Sequence, residues 1–327
     1  MIIHVRIVFL GTPEFAVPTL ERLAREPGLE LSAVVCQPDR PAGRGGGLRA
    51  PAVKLAAAAL GLPVYQPQRL GGADGVAWLR QQQPDALAVV AFGQLLPPAI
   101  FELPRFGAIN AHASLLPLYR GAAPIQRAIA QGETRTGVTT MRINAGLDTG
   151  DLLLQRSLDI PPDATALELA PRLAALAADL MAETLLGLEA GRLIARPQPP
   201  EGTLAPRLRR EDGEIDWASP AGEIHNRWRG FQPWPGLHTR FRGQQLAILA
   251  CRPMPASAAP TPPGQMALRG NELSVQCGEG RLGLDLVRLE SRKAVSGGDF
   301  ARGAHLQPGE ILGPRTRPAL DPFSGLH

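Results

Sequence analysis

Apolar runs in the first third of the chain, "VRIVFLG" (5–11), "LSAVVCQ" (31–37), "ALAVVAFG" (86–93) and "GAINAH" (107–112), alternate with "FAVPTLERLARE", "PAVKLAAAALG" and "GVAWLRQQQ". The runs are short, rich in Val, Ile and Ala, and bounded by turn residues, as strands buried on both faces require. The intervening segments carry the spacing of amphipathic helices. This alternation predicts an α/β domain built on a mostly parallel sheet with helices on both faces. Ligands of such sheets bind outside the carboxyl ends of the strands, so the residues that directly follow each run carry the functional weight.

Further on, "TGVTTMRI" (136–143) and "DLLLQRSLDI" (151–160) read as strands joined by the loop "NAGLDTG". A long helix is expected over 166–191, interrupted or kinked near Pro171. "ARPQPPEGTLAP" (195–206) has no usable periodicity and reads as an extended, Pro-stiffened linker. It divides a domain over 1–194 from one over 207–327, consistent with about two domains for 327 residues. In the second domain "HTRFRG", "QLAILACR", "GQMALRG", "ELSVQCG" and "LGLDLVRL", set off by Gly and Pro, suggest a small β-barrel. Charge divides unevenly: residues 1–206 hold 18 basic and 18 acidic side chains, residues 207–327 hold 16 and 12. The net charge of +4 thus lies entirely in the second part, where it would attract polyanions such as nucleic acid or merely decorate an ordinary surface.

Several classes are excluded. No apolar run approaches the roughly 20 residues of a membrane span, and "MIIHVRIVFLG" reads as a first buried strand, since no small-residue cleavage site follows. Cys36, Cys251 and Cys277 are widely spaced, which argues against a zinc site and a disulfide scaffold and suits a reducing cytoplasm. "GTPEF" (11–15) has neither the GxGxxG nor the P-loop spacing, so NAD or ATP use is not expected; Gly11 reads as a tight turn.

In "NAHASLLP" (110–117) an extended chain places Asn110 and His112 on one face with Ala111 turned away. An amide donor and an imidazole converging on one point suit acyl transfer, where negative charge develops on an oxygen and protons move. On its own the pair reads more readily as the hydrogen-bonded polar end of a buried strand. Asp148, between glycines in "NAGLDTGD", would hold the tautomer of His112 and favour its charged form; Asp151 is the alternative. No Ser nucleophile elbow and no Cys–His pair is present, so direct attack by a substrate amine is expected rather than a covalent enzyme intermediate. Arg40, Arg44 and Arg49 stand among Pro and Gly in "QPDRPAGRGGGLRAPAVK" (37–54), a loop not expected to pack as a regular element. It reads either as a phosphate-engaging loop or as a solvated one.

Taken in order, "FLGTPEFAVPTL", "QPDRPAGRG", "AFGQLLP", "NAHASLLPLYRGAAPIQRAI", "TGVTTMRINAGLDTGD", "IDW" and "PWPG" resemble the methionyl-tRNA formyltransferases, tRNA-specific members of the 10-formyltetrahydrofolate-dependent formyltransferases. The resemblance spans residues 9 to about 236. It implies a Rossmann-like catalytic domain followed by an oligonucleotide-binding-like (OB-like) barrel, and formyl transfer to the α-amino group of methionine on initiator tRNA through a tetrahedral intermediate.

By resemblance, Asn110 polarises the formyl oxygen, His112 stabilises the intermediate, and Asp148 sets the histidine's protonation and relays protons. The formyl donor, 10-formyltetrahydrofolate, would lie beside Phe92, Gly93 and Leu95 and against Ser114, Leu115, Leu116 and Pro117, with no metal. Arg40, Arg44, Arg49 and Arg207 would face tRNA, and the family implies a cytoplasmic monomer. The chain departs from the usual pattern at Ala113, where Gly is common, at Gly46 and Gly47, where lysines are common, and at Arg207, where Lys is common. Two other readings are a non-catalytic RNA-binding protein on the same fold, and a formyltransferase acting on an amino sugar or a glycinamide nucleotide.

Overall fold

The structure, a computed structural model, describes residues 5–42, 47–256 and 261–313. Contacts divide the chain into one unit of residues 1–128 and 133–207 and another of residues 129–132 and 208–327.

The first unit is built on strands β1 (Val5–Gly11), β2 (Leu29–Val35), β5 (Val64–Tyr65), β6 (Ala86–Val90), β7 (Ala108–His112), β8 (Arg135–Arg142) and β9 (Leu152–Asp159). They form one sheet in the order β5-β2-β1-β6-β7-β8-β9. The first five strands of that order pair in parallel, and β8 and β9 are added antiparallel. Chain direction across the sheet reverses beside β1, which pairs with β2 on one side and β6 on the other. That is the switch point at which open sheets leave a crevice beyond their carboxyl ends. Residues Ile7, Val8, Phe9, Leu10, Leu87, Val90 and Ile109 are wholly buried, so these strands are covered on both faces, as their unbroken apolar runs require.

Helices α1 (Val17–Arg25), α2 (Ala52–Ala59), α3 (Ala73–Gln82), α4 (Pro98–Phe101), α5 (Pro124–Ala130) and α6 (Ala166–Glu189) accompany the sheet. Helix α6 starts at a capping box: the Thr165 hydroxyl accepts from the Glu168 N–H, and the Glu168 carboxylate accepts from the Thr165 N–H. That capture holds the Glu168 carboxyl below the usual carboxylate range. The expected interruption at Pro171 does not occur, and the helix runs through it. Pro171 and Leu167, whose carbonyl loses its helical partner, both face solvent, where the orphaned oxygen is open to water.

One further expectation is corrected. The arginine-bearing loop does form regular structure, an antiparallel ribbon of β3 (Arg40–Ala42) and β4 (Gly47–Arg49) with Arg40 opposite Arg49. Its pairing needs only backbone groups, and period-two alternation is not required over so few residues. Residues 195–206 are extended, and backbone bonds tie them to the first unit. Arg196 bridges Leu152, the Arg120 N–H donates to the Thr203 carbonyl, and the Ala205 N–H donates to that of Arg120.

The second unit is antiparallel. Strands β10 (Leu237–Phe241), β11 (Gln244–Met254), β12 (Met266–Arg269), β13 (Glu272–Gln276) and β14 (Arg281–Leu289) order as β10-β11-β14-β13-β12, with β15 (Val295–Ser296) on β14. Leu246, Ile248, Leu273, Val275, Leu282 and Val287 point into its core. Helices α7 (Ala221–Gly230) and α8 (Gly297–Gly303), not foreseen from the sequence, pack on it, with Phe241 and Phe300 edge to face at 5.0 Å between ring centres.

Candidate active site

Strand β7 ends at His112, and its register sets Asn110 beside Val89 of β6 and Met141 of β8. Asn110 is half-buried, and among the described residues its carboxamide makes no hydrogen bond. His112, two residues on, lies on the same face and is almost wholly buried. Its Nε2 is 2.9 Å from the Tyr119 carbonyl oxygen, which can only accept, so Nε2 carries a proton. Its Nδ1 faces Asp148 Oδ2 at 3.6 Å. Both ring nitrogens therefore look at oxygen acceptors, an arrangement that an imidazolium satisfies and a neutral ring satisfies only in part.

Two backbone conformations build this arrangement. Tyr119 has φ +61°, which turns its carbonyl back toward His112, and Asp148 has φ +51°. Non-glycine residues rarely adopt that region, and such conformations persist where surrounding bonds over-determine them. Asp148 is held by the Gly121 N–H, which donates to its Oδ2 at 2.8 Å, and by Gln198, whose amide donates to the Asp148 and Gly150 carbonyls at 2.9 and 2.7 Å. Gly121 itself has φ +121°, and a Cβ there would lie 2.7 Å from the Ala205 carbonyl oxygen. The Tyr119 hydroxyl donates to Glu133 at 2.7 Å, and burial, aided by this contact, pushes the phenol well above its ordinary range.

The residues expected to meet the formyl donor divide into two sorts. Ser114 is wholly buried; its hydroxyl donates to the Leu118 carbonyl and its own carbonyl accepts from Thr139. Leu116 is buried, while Leu115 and Pro117 are half-buried. Ser114 and Leu116 thus shape the backbone at the mouth of β7 and leave their neighbours to face outward. Phe92 is packed in the core cluster with Val8, Leu87 and Ile100, whereas Leu95 is 91% exposed. The Phe92 carbonyl accepts from the Thr12 hydroxyl and the Gln37 amide, which joins the turns that follow β1, β2 and β6. Gly93, at φ +84°, turns the chain away beyond that knot.

Residues 5–185 match the family model described as formyl transferase, and residues 207–305 match formyl transferase, C-terminal domain. A methionyl-tRNA formyltransferase of Solibacter usitatus is 54% identical over 309 residues, covering 94% of this chain and 98% of the relative. Another, of Geobacter metallireducens, is 47% identical over 308 residues, with the same two shares. The chain belongs to the methionyl-tRNA formyltransferase family. Among solved structures, the methionyl-tRNA formyltransferase from Clostridium thermocellum aligns with a TM-score of 0.53 at 15% identity, covering 90% of this chain and all of that one. HypX from Aquifex aeolicus in complex with tetrahydrofolic acid aligns at 0.60 and 16% identity, covering 94% of this chain and 48% of that one. At such identities these likenesses speak to the fold.

Of the residues that the family resemblance assigns to tRNA, Arg40 and Arg49 stand opposite each other on the β3–β4 ribbon. Arg40 donates to Gln37 at 3.1 Å, and Arg49 sits 3.9 Å from Glu14 in an exposed pair of little energetic weight. Arg44 and Gly46 lie outside the described residues. Arg207 is exposed at the end of the first unit. Gly47, where family members often carry lysine, has open space around its Cβ position. Ala113, where family members often carry glycine, is buried and does not adopt positive φ, so its backbone conformation does not demand glycine.

Sequence reasoning missed Arg120, Gly121, Thr139 and Gln198. Arg120 and Gly121 stand in the quoted "SLLPLYRGAAPI" run, where a charge inside an apolar stretch is a usable signal. Gln198 lies in a Pro-rich stretch that gives none. No helix among the described residues is long and apolar enough to cross a membrane.

Proposed function

We propose that the protein transfers the formyl group of 10-formyltetrahydrofolate to the α-amino group of methionine esterified to initiator tRNA, yielding N-formylmethionyl-tRNA. The observation that carries this reading is the approach of Asp148 to His112 beside a free Asn110 carboxamide, at the carboxyl end of β7, the strand that pairs with β6. Asn110 donates to the formyl oxygen as it gains negative charge. His112, held between Tyr119 and Asp148, stabilises that charge. The amine nitrogen attacks the formyl carbon, the new C–N bond forms, and the bond from carbon to the folate N10 breaks. The proton lost by the amine passes by way of the His112–Asp148 pair to N10, so no metal is needed.

The half-buried Leu115 and Pro117 and the turn around Gly93 and Leu95 would flank the folate, with Phe92, Ser114 and Leu116 fixing the backbone beneath. Arg40, Arg44, Arg49 and Arg207 would engage tRNA phosphates, and the basic second unit would serve as the OB-like module that holds the acceptor arm. A monomer in the cytoplasm suits this role. The domain limits proposed are catalytic to 194, connecting to 206, and tRNA-binding from 207.

Purified protein with 10-formyltetrahydrofolate and methionyl-initiator tRNA should give formylmethionyl-tRNA. No turnover there, or preference for an amino sugar or glycinamide nucleotide in competition, would refute the reading. Arg44→Ala is expected to weaken use of tRNA and spare folate binding, and equal losses of both would contradict its assignment.

A further inference from the structure

Gln198 is the one side chain of the 195–206 segment that reaches the Asp148 loop among the described residues. Its Oε1 accepts from Arg120 Nη2 at 2.9 Å and Nε at 3.2 Å, while its Nε2 donates to the Asp148 and Gly150 carbonyls. Arg120 is buried, and its remaining bonds go to the Pro199 and Pro200 carbonyls, so no carboxylate neutralises it among the described residues. A guanidinium has donors only and can face nothing but Oε1 of that amide. Arg120 thereby fixes which way the Gln198 amide points and aims its NH2 at the loop.

The segment does not need this amide in order to dock. Backbone bonds at Arg196, Thr203 and Ala205 already hold it along the first unit. The Gln198 donors go instead to the carbonyl of the residue whose carboxylate faces His112, in a left-handed conformation that must be held from outside.

We infer that Gln198, oriented by Arg120, is a positioning residue for formyl transfer: it grips the Asp148 backbone so that the carboxylate stays against His112. Neither side chain touches substrate in this role, and the inference rests on the formyl-transfer reading above. Displacing a reacting group by even an ångström costs rate rather than substrate affinity.

Gln198→Glu separates this role from simple stapling. It keeps, and charges, the acceptor that faces Arg120, but replaces the donor with an oxygen that repels two carbonyls. With an active wild type, Gln198→Glu and Gln198→Ala should lower kcat by about tenfold or more. KM for the formyl donor should stay nearly unchanged, and the pH profile of kcat should alter. Thermal unfolding of Gln198→Glu should remain near that of wild type; if that variant does not fold, Gln198→Ala carries the test. Unchanged kcat and pH profile, or a loss of rate that only follows loss of folded protein, would overturn the inference. An inactive wild type would refute the formyl-transfer reading instead. The inference is then decided by NMR of the His112 ring in Gln198→Ala, which adds no charge: its ring signals shift from those of wild type if the Asp148 carboxylate moves and stay put if it does not.

Discussion

Replacing Asp148 by Asn isolates the charge that faces His112. Asn is among the residues that tolerate the left-handed region, so φ +51° is retained. Its side-chain oxygen can still accept from the Gly121 N–H, so the anchor of the loop is retained as well. What disappears is the carboxylate 3.6 Å from Nδ1. Two unit charges at that distance interact by about 4–5 kcal/mol at an effective dielectric constant near 20. The Asp148 side chain is 16% exposed, so water relaxes part of this, and the amide dipole restores a little more. A loss of about 2–3 kcal/mol of transition-state stabilisation remains, which corresponds to about 30- to 160-fold in rate. Single-turnover formylation of methionyl-tRNA measures it without interference from product release. Asp148→Ala should be worse, because it also leaves the Gly121 N–H unpaired and puts alanine at positive φ. A D148N rate within about threefold of wild type, with folding intact, would refute the argument that the carboxylate acts through its charge on His112.

Other expectations follow from single residues. Asn110→Ala should lower kcat by about a hundredfold, the scale for loss of one preorganised oxyanion donor, with little change in thermal unfolding because that amide has no described partner. Lys54 and Gln66 hold the Asp39 carboxyl below its ordinary range at the foot of the β3–β4 ribbon. Lys54→Met should therefore raise KM for tRNA while sparing that for the formyl donor, as steady-state kinetics would show. Thr165→Ala should cost about 1 kcal/mol in denaturant unfolding by removing the cap of α6. Glu168 is held below the range it has in the unfolded chain. Its share of the stability is therefore present above that range and falls away as pH drops through the folded value; in the variant it should shrink without vanishing, because the backbone N–H of residue 165 still donates to Glu168. Burial, opposed by Glu214, holds the His238 imidazole below the ordinary histidine range. The unfolded chain takes up that proton first, so stability should decline as pH falls below about 6.5, and His238→Gln should flatten that slope in pH-dependent thermal melts.

The sheet was legible because buried parallel strands demand unbroken apolar runs, and those beginning at Val5, Ala86 and Gly107 are found within a few residues of their expected places. The helices α5, α7 and α8 were not, and the β3–β4 ribbon was hidden by its Pro and Gly content. At the site, the two-residue spacing of Asn110 and His112 on an extended strand was enough to place them on one face. Whether Asp148 or Asp151 served them could not be read locally, because partners 36 residues apart are chosen by the fold. The choice depends on a left-handed turn at Asp148, on the Gly121 N–H and on Gln198, contributed by three separate stretches of chain.

Sequence by itself thus determined the alternating layers, the strand that ends in Asn110 and His112, and the family. Tertiary structure alone decided which carboxylate meets the imidazole and that residues 195–206 hold its loop instead of merely connecting two units. The physical reason is range: side-chain periodicity is a property of neighbouring residues, whereas the hydrogen bonds that orient Asp148 join groups distant along the chain and exist only once it has folded.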